Sequence, residues 1–328
     1  MKIYDFNECP LSDRNGTYGG NAGSKEGILI NGEYWIAKYP KSTRGMRGVL
    51  NSYTTSPLSE YIGSHVYEIL GIDTHKTELG IRKGKLIVAC KDFCVKEGEL
   101  REIRTLKNIY NEQLENELDK SLSSTDSSII PIEQLLIHFE YNPVIKDLKD
   151  IKERFWDMFI VDVLINNNDR NNGNWGALYR NGEFILSPVY DNGSSFSNKL
   201  PDSKIKEYLE NNDKMMSSIN GCVTAYSYNN IPIKASDISN LSLLYEQIEF
   251  RNEACKMITT IEERFPLIKD FVSDIPDSFE GYSICSDIRK EFYIHTMQLR
   301  LERFLQPALA NVYEYEDSLT RAGGIISP

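Results

Sequence analysis

Three residues stand at a spacing that can hold a hard cation beside phosphate: Asp169, Asn174 and Asp191. The stretch 166–196 reads NNNDRNNGNWGALYRNGEFILSPVYDNGSSF, a polar loop, a short hairpin and a second polar loop. The hairpin strands, roughly Ala177 to Arg180 and Glu183 to Leu186, are similar in length and turn at Asn181-Gly182. The chain therefore leaves near Asn174 and returns near Asp191 at the same end of the sheet. A carboxylate and an amide oxygen converge there beside a second carboxylate, Asp169. Such donors suit Mg2+, with its remaining positions given to phosphate and water, and the chemistry they equip is phosphoryl transfer. Asp-Asn-Gly alone is an ordinary turn sequence, so the weight rests on the ordered combination.

A scaffold on the phosphate side is legible upstream. Gly27 to Ile30 and Glu33 to Lys38, joined by Asn31-Gly32, read as a β-hairpin, because Asn-Gly supplies two positive-φ positions. Lys38 ends this alternating strand, and alternation puts Ile36 on the same face: an apolar surface for a base and an ammonium group for phosphates. A second hairpin joins Glu78–Ile81 to Lys85–Ala89 through Arg82-Lys83-Gly84. Between the hairpins, Pro57, the helical spacing of Ile62, Val66, Ile69 and Leu70, and the stop at Gly71 mark one helix. Beyond residue 99 the reading is mainly helical around the single hairpin of the site. It runs as a charged helix from Glu99 to about Leu122, a polar linker at 121–128, and a buried helix carrying Phe155, Trp156, Phe159, Ile160, Val163 and Leu164 that halts at Asn166-Asn167-Asn168. The segment 245–315 is helical again, and 318–328 is expected to be a disordered tail.

Composition bounds what this site can serve. The 328 residues carry 37 Lys+Arg against 48 Asp+Glu, a net charge of -11, with 41% apolar residues. That balance fits a globular chain of about two lobes and argues against bulk nucleic-acid binding, which needs clustered excess base. Phosphate must then be handled at a small local site. No stretch of about 18 apolar residues could span a bilayer, and the amino terminus lacks a hydrophobic secretory segment, so a cytoplasmic address is expected. Cys9, Cys90, Cys94, Cys222, Cys255 and Cys285 show no metal or disulfide pattern and read as free thiols, with Cys90 and Cys94 as small buried hydrophobes. His65, His75, His138 and His295 have no paired metal spacing and are read as surface or satisfied core residues. Trp35, Trp156 and Trp175 read as packing aromatics.

The order D-x(4)-N, hairpin, D-x-G is the loop grammar of kinase-like phosphotransferases. With NNNDRNNGNW, SPVYDNGSSF, GGNAGSKEGIL and YWIAKYP together, the chain resembles the HipA-like serine/threonine kinases from about Tyr18 to Phe196. The resemblance implies an α+β, bilobal protein-kinase-like fold, with an N-lobe at 1–93 and a mainly helical C-lobe at 94–317. It implies Asp169 as the catalytic base, Arg170 as a stabiliser of the catalytic loop, and Asn174 and Asp191 as metal ligands, with Gly193 permitting the backbone geometry there. Lys38 matches the nucleotide lysine. Its acidic partner falls on the following helix, with Glu60 the best match and Glu68 a poorer one. Tyr18 to Lys25 resembles the phosphate-covering loop, so Gly19, Gly20, Asn21, Ala22, Gly23, Ser24 and Lys25 join Ile36 as nucleotide contacts; the loop is not a Walker A sequence. Cys90, Lys91 and Asp92, running into Phe93, match the lobe connection that meets the adenine edge. Where many members have His after D-R, this chain has Asn171, so no role passes to it.

The implied activity is an ATP- and Mg2+-dependent protein kinase with a Ser/Thr acceptor that autophosphorylates, with Thr17, Tyr18 and Ser24 nearest the family's regulatory serine. A lipid or small-molecule phosphotransferase with the same loops, and a catalytically silent nucleotide-binding regulator, are the alternatives. Family members pair with a DNA-binding antitoxin, but the segment before the Gly-rich loop is short here, about fifteen residues, which weakens that expectation. The resemblance extends to a cell-translocating member, which sets non-classical secretion into host cells beside the cytoplasmic address.

Overall fold

The computed structural model describes residues 1–15, 24–94, 98–123 and 129–323. Five strands form the amino-terminal sheet: β1 (Tyr4–Asp5), β2 (Lys25–Ile30), β3 (Glu33–Lys38), β4 (Thr77–Arg82) and β5 (Lys85–Lys91). Their order is β1-β4-β5-β3-β2, with β1 parallel to β4 and the other pairs antiparallel. Both expected hairpins are present, and one turn chemistry makes them. Asn31 and Gly32 take φ of 51° and 78°, and Lys83 and Gly84 take 51° and 70°. Two successive left-handed residues match the twist of the flanking strands. Arg82 lies in the strand rather than the turn, paired with Lys85.

Helix α1 (Ser56–Ile69) carries Pro57 in its first turn and is stopped by Gly71 at φ +85°. Its Leu58, Ile62 and Val66 are fully buried in one core with Leu79, Ile81 and Val88 of the sheet. Gly63 serves a close approach: a Cβ there would stand 2.7 Å from the Asn192 Cβ. Its bare backbone lets α1 lie against the loop that carries Asp191.

The remainder is mainly helical. In order come β6 (Glu99–Glu102), α2 (Ile103–Leu118), β7 (Ile130–Pro131), α3 (Ile132–Tyr141), α4 (Ile151–Ile165), β8 (Gly176–Arg180) and β9 (Glu183–Leu186). Then follow α5 (Asp202–Leu209), α6 (Asn212–Asn220), β10 (Val223–Tyr228), β11 (Ile231–Lys234), α7 (Ser242–Glu246), α8 (Ile248–Ser273), β12 (Ser278–Phe279), β13 (Tyr282–Ser283), α9 (Asp287–Arg300) and α10 (Gln306–Gly323). This is the expected α+β division into a β-rich amino-terminal region and a larger helical region. Helix α4 is apolar on nearly every side and buried accordingly, and Asn166 ends it in the left-handed conformation at φ 55°. Trp156 and Trp175 pack around it with Phe155 and Phe139, while Trp35 packs with Phe6, Ile28 and Ile87 against the sheet.

Three expectations need correction. The charged segment at Glu99 opens as a strand, because β6 pairs antiparallel with β8 and makes the site hairpin a three-stranded sheet in the order β6-β8-β9. That hairpin is not single: β10 and β11 form another, turning at Asn229 and Asn230 with φ of 50° and 63°. Finally, Ser318–Gly323, expected to be disordered, continues α10, where Ser318 and Thr320 hydroxyls donate back to the carbonyls of Tyr315 and Glu316. The polarity of this stretch belongs to a solvated helix end; 324–328 lie outside the described residues. Among the described residues no helix is long and apolar enough to cross a membrane.

Candidate active site

Strand β3 delivers Lys38 to a cleft between the amino-terminal sheet and the helical region. Residues two apart share a strand face, so Ile36 and Lys38 line one cavity. Lys38 Nζ lies 3.1 Å from Glu60 Oε1 on α1 and 2.8 Å from Asp191 Oδ1 on the loop after β9. Glu68, the other candidate, stands 3.9 Å from His65 Nε2 with its carboxylate largely exposed. Burial alone would lower the Lys38 pKa, but the Asp191 and Glu60 carboxylates outweigh it and hold the ammonium well above its ordinary value. Burial likewise opposes ionisation of Glu60, yet Lys38 and then His75 keep its carboxyl well below the usual range. Lys38 lowers the Asp191 carboxyl in the same way, against burial. The result is a charged triad, fully ionised at neutral pH.

The left-handed residue of the Asp-Asn-Gly loop is Asp191, at φ 62°, not Gly193. What Gly193 supplies is room: a Cβ there would meet Glu60 Oε2 at 3.0 Å. The Asp191 N–H donates to Glu60 Oε1 at 3.1 Å, which ties the turn to α1.

On the opposite wall the loop after α4 carries Asp169 and Asn174. Both line the same cleft as Lys38, Glu60 and Asp191, a space of about 690 Å³. The Asp169 carboxylate accepts from Asn171 Nδ2 at 2.9 Å on one oxygen and from the Ser194 hydroxyl at 3.3 Å on the other. Asn174 donates its Nδ2 to the Asp169 carbonyl at 2.5 Å, which leaves Oδ1 as the free acceptor. Arg170 does not face the cleft. It is fully buried, with Nε 2.8 Å from Asp162 Oδ2, Nη1 3.0 Å from the Asn174 carbonyl, and further bonds from Nη1 to the Tyr190 carbonyl and from Nη2 to Asn192 Oδ1. One guanidinium thus joins α4 to both loops, a bracing position rather than one facing the cleft.

A second cavity of about 680 Å³ shares Lys38, Asn174 and Asp191 and extends past Ile36, Cys90, Lys91, Asp92 and Phe93. Cys90 is buried there beside Ile36, its β-partner, while Cys94 is half-buried. The Asp92 N–H donates to the Tyr34 carbonyl at 3.0 Å, and Lys91 Nζ turns to Glu33 at 2.6 Å. Ser24 and Lys25 enter the first cavity at the start of β2; Gly19, Gly20, Asn21, Ala22 and Gly23 lie outside the described residues.

The donor set fits Mg2+. Asp191 and the Asn174 Oδ1 are hard oxygen donors open to the cleft, and one Asp191 oxygen is clear of the Lys38 contact. A different cluster, Glu60, His75 and Cys90, brings an oxygen, a nitrogen and a sulfur atom within 4.8 Å of one another. That mix does not suit Mg2+, the Cys90 thiol is held protonated by burial, and Glu60 is already committed to Lys38.

Several residues were not legible as site residues. Asn171 and Ser194 orient Asp169, Asp162 anchors Arg170, and His75 contacts Glu60 at 3.1 Å. Asp162 did carry a signal, as a carboxylate in the apolar run from Met158 to Ile165 needs a buried partner.

No family model matches the chain. The serine/threonine-protein kinase CtkA of Helicobacter pylori strain J99 is 29% identical over 299 residues, 90% of this chain and 84% of that protein. The crystal structure of a Helicobacter pylori proinflammatory kinase CtkA superimposes with a TM-score of 0.80 at 26% identity, over 95% of this chain and 98% of the other. HipA of Shewanella oneidensis MR-1, solved with HipB and operator DNA, gives a TM-score of 0.49 at 13% identity, over 90% of this chain and 69% of the other. The chain is thus similar to the kinase CtkA in both sequence and fold, and that likeness marks it as an enzyme of the kinase type.

Proposed function

We propose that the chain transfers the γ-phosphoryl group of ATP to serine or threonine hydroxyls of protein, its own included, with Mg2+ as cofactor. One observation carries the reading above the rest: Lys38 is held between Glu60 and Asp191 in the cleft that Asp169 and Asn174 line from the other side. Lys38 offers its ammonium to the nucleotide phosphates, and Glu60 keeps it charged and in place. Ile36 and the Cys90–Asp92 backbone border the cavity for the adenine. Asn174 and Asp191 hold the metal, which when bound neutralises and orients the phosphates. Asp169, steadied by Asn171 and Ser194, orients the acceptor hydroxyl and takes its proton. The Ser/Thr acceptor class is supported by the name of the 29%-identical relative.

The test is incubation with γ-labelled ATP and Mg2+, with a generic protein acceptor, phosphoinositide vesicles or aminoglycosides offered in parallel. Label on protein Ser or Thr is expected. Label confined to lipid or aminoglycoside, or tight nucleotide binding with no transfer to any acceptor, would overturn the proposal.

A further inference from the structure

We infer that His75, acting with Ser64 and Asn192, is the positioning device that holds Glu60 against Lys38 and joins that pair to the Arg170-braced loops. The inference rests on the reading of Lys38 as the phosphate-binding lysine. His75 lies between α1 and β4, and its N–H donates to the Val189 carbonyl at 3.0 Å, two residues before Asp191. Its Nε2 stands 3.1 Å from Glu60 Oε1 and 3.1 Å from Ser64 Oγ. An ionised carboxylate only accepts, so the ring proton sits on Nε2, where Glu60 Oε1 and Ser64 Oγ, both at 3.1 Å, share it as acceptors.

From there a line of bonds crosses the molecule. Ser64, one turn beyond Glu60 on α1, accepts from Asn192 Nδ2 at 3.1 Å. Asn192 Oδ1 accepts from Arg170 Nη2, and Arg170 Nε donates to Asp162 at 2.8 Å. His75, Ser64, Asn192 and Arg170 are 5%, 1%, 0% and 0% exposed, so no solvent can replace a bond that is cut. Glu60 Oε1 accepts at once from Lys38, from the Asp191 N–H and from His75. The first two donors belong to groups that engage phosphate and metal; His75 is the donor whose position does not depend on them. It fixes the carboxylate while Lys38 and Asp191 exchange partners with ligand. The lysine–glutamate pair is therefore assembled by the chain itself.

A core histidine that merely fills space would behave differently, and Thr74 is the control. Its hydroxyl donates to the same Val189 carbonyl at 2.9 Å but lies outside the line of bonds. His75→Leu is expected to weaken Mg·ATP binding about tenfold, the effect of losing a buried hydrogen bond to a charged group, as read by calorimetry. His75→Gln, whose amide can donate to Glu60, is expected to recover most of that loss. Thr74→Val is expected to lower the melting temperature while leaving affinity and turnover unchanged. On a Glu60→Gln background His75→Leu should add nothing, because the two act through one carboxylate. Should His75→Leu not fold, Ser64→Ala cuts the same line with little volume lost. Wild-type affinity in the His75 or Ser64 variant, or additive losses in the Glu60 cycle, would overturn the inference. A wild-type protein that binds no Mg·ATP would instead overturn the reading of the site, and this inference with it.

Discussion

Replacing Glu60 by Gln removes one charge from the triad while keeping an acceptor for the Asp191 N–H. At 3.1 Å and an effective dielectric constant of about 20, the Lys38–Glu60 attraction is about 5 kcal/mol. Against this stands the relief of no longer burying a carboxylate that is 2% exposed, a penalty of several kcal/mol. Asp191 also remains as a partner for Lys38 at 2.8 Å. The net loss of stability at pH 7 should therefore be about 1–3 kcal/mol, less than for a fully orphaned buried charge. Glu60 has a depressed carboxyl pKa, so its contribution is present above the ordinary value of 4.5 and is lost as pH falls through the lower folded value. The gap between wild type and Glu60→Gln should narrow as pH falls below 4.5. Binding should suffer too. Lys38, drawn to Asp191 alone, competes with metal for that carboxylate, and the Kd for Mg·ATP should rise about tenfold, or 1.4 kcal/mol. Urea unfolding followed by fluorescence of the buried tryptophans, at pH 7 and below pH 4, together with nucleotide calorimetry, measures both. Equal stability at both pH values with unchanged affinity would refute the reasoning.

Asp191→Asn should weaken Mg2+-dependent nucleotide binding at least tenfold with the loop intact, because Asn tolerates the left-handed backbone that Asp191 adopts; unchanged Mg2+ dependence in a titration would contradict this. Gly63→Ala gains helix propensity but drives a Cβ to 2.7 Å from Asn192, and a net destabilisation of about 1–3 kcal/mol is expected in denaturant melts, with weakened nucleotide binding. Asp157, buried on α4 beside Glu253, has its carboxyl pushed up to about 7, by burial first and Glu253 second. The folded state thus holds that proton more tightly than the unfolded chain, and the site opposes folding increasingly as pH rises from the ordinary value of 3.8 to about 7. Asp157→Asn should raise stability by about 1–3 kcal/mol at pH 8 and change little at pH 4; a stabilisation independent of pH would count against the raised Asp157 carboxyl.

Local chemistry made much of this legible. Asn31-Gly32, Gly84 and Asn181-Gly182 announced their turns because only a few residues accept consecutive positive φ, and Asn166 announced the end of α4 for the same reason. Asp169, Asn174 and Asp191 could be brought together on paper because a hairpin of matched strands returns the chain to its starting edge. What escaped depends on distant partners. Glu99–Glu102 has no strand signature of its own and extends because the edge of β8 is there to pair with it. His75 looked like any solitary histidine; only folding sets it 3.1 Å from Glu60. The positive φ at Asp191 and the pairing of Arg170 with Asp162 likewise follow from how the loops pack against α1 and α4.

The central claim is that Asp169 performs phosphoryl transfer to protein hydroxyls in a cleft that Lys38, Asn174 and Asp191 prepare. Mass-spectrometric mapping of phosphosites after incubation with Mg·ATP, for wild type beside Asp169→Asn, tests it most directly, with nucleotide affinity measured on both. Phosphate on Ser or Thr of the wild type is predicted, with at least a hundredfold less on Asp169→Asn at near-equal affinity. Equal phosphorylation of the two proteins, or none on either while both bind Mg·ATP, would contradict the account.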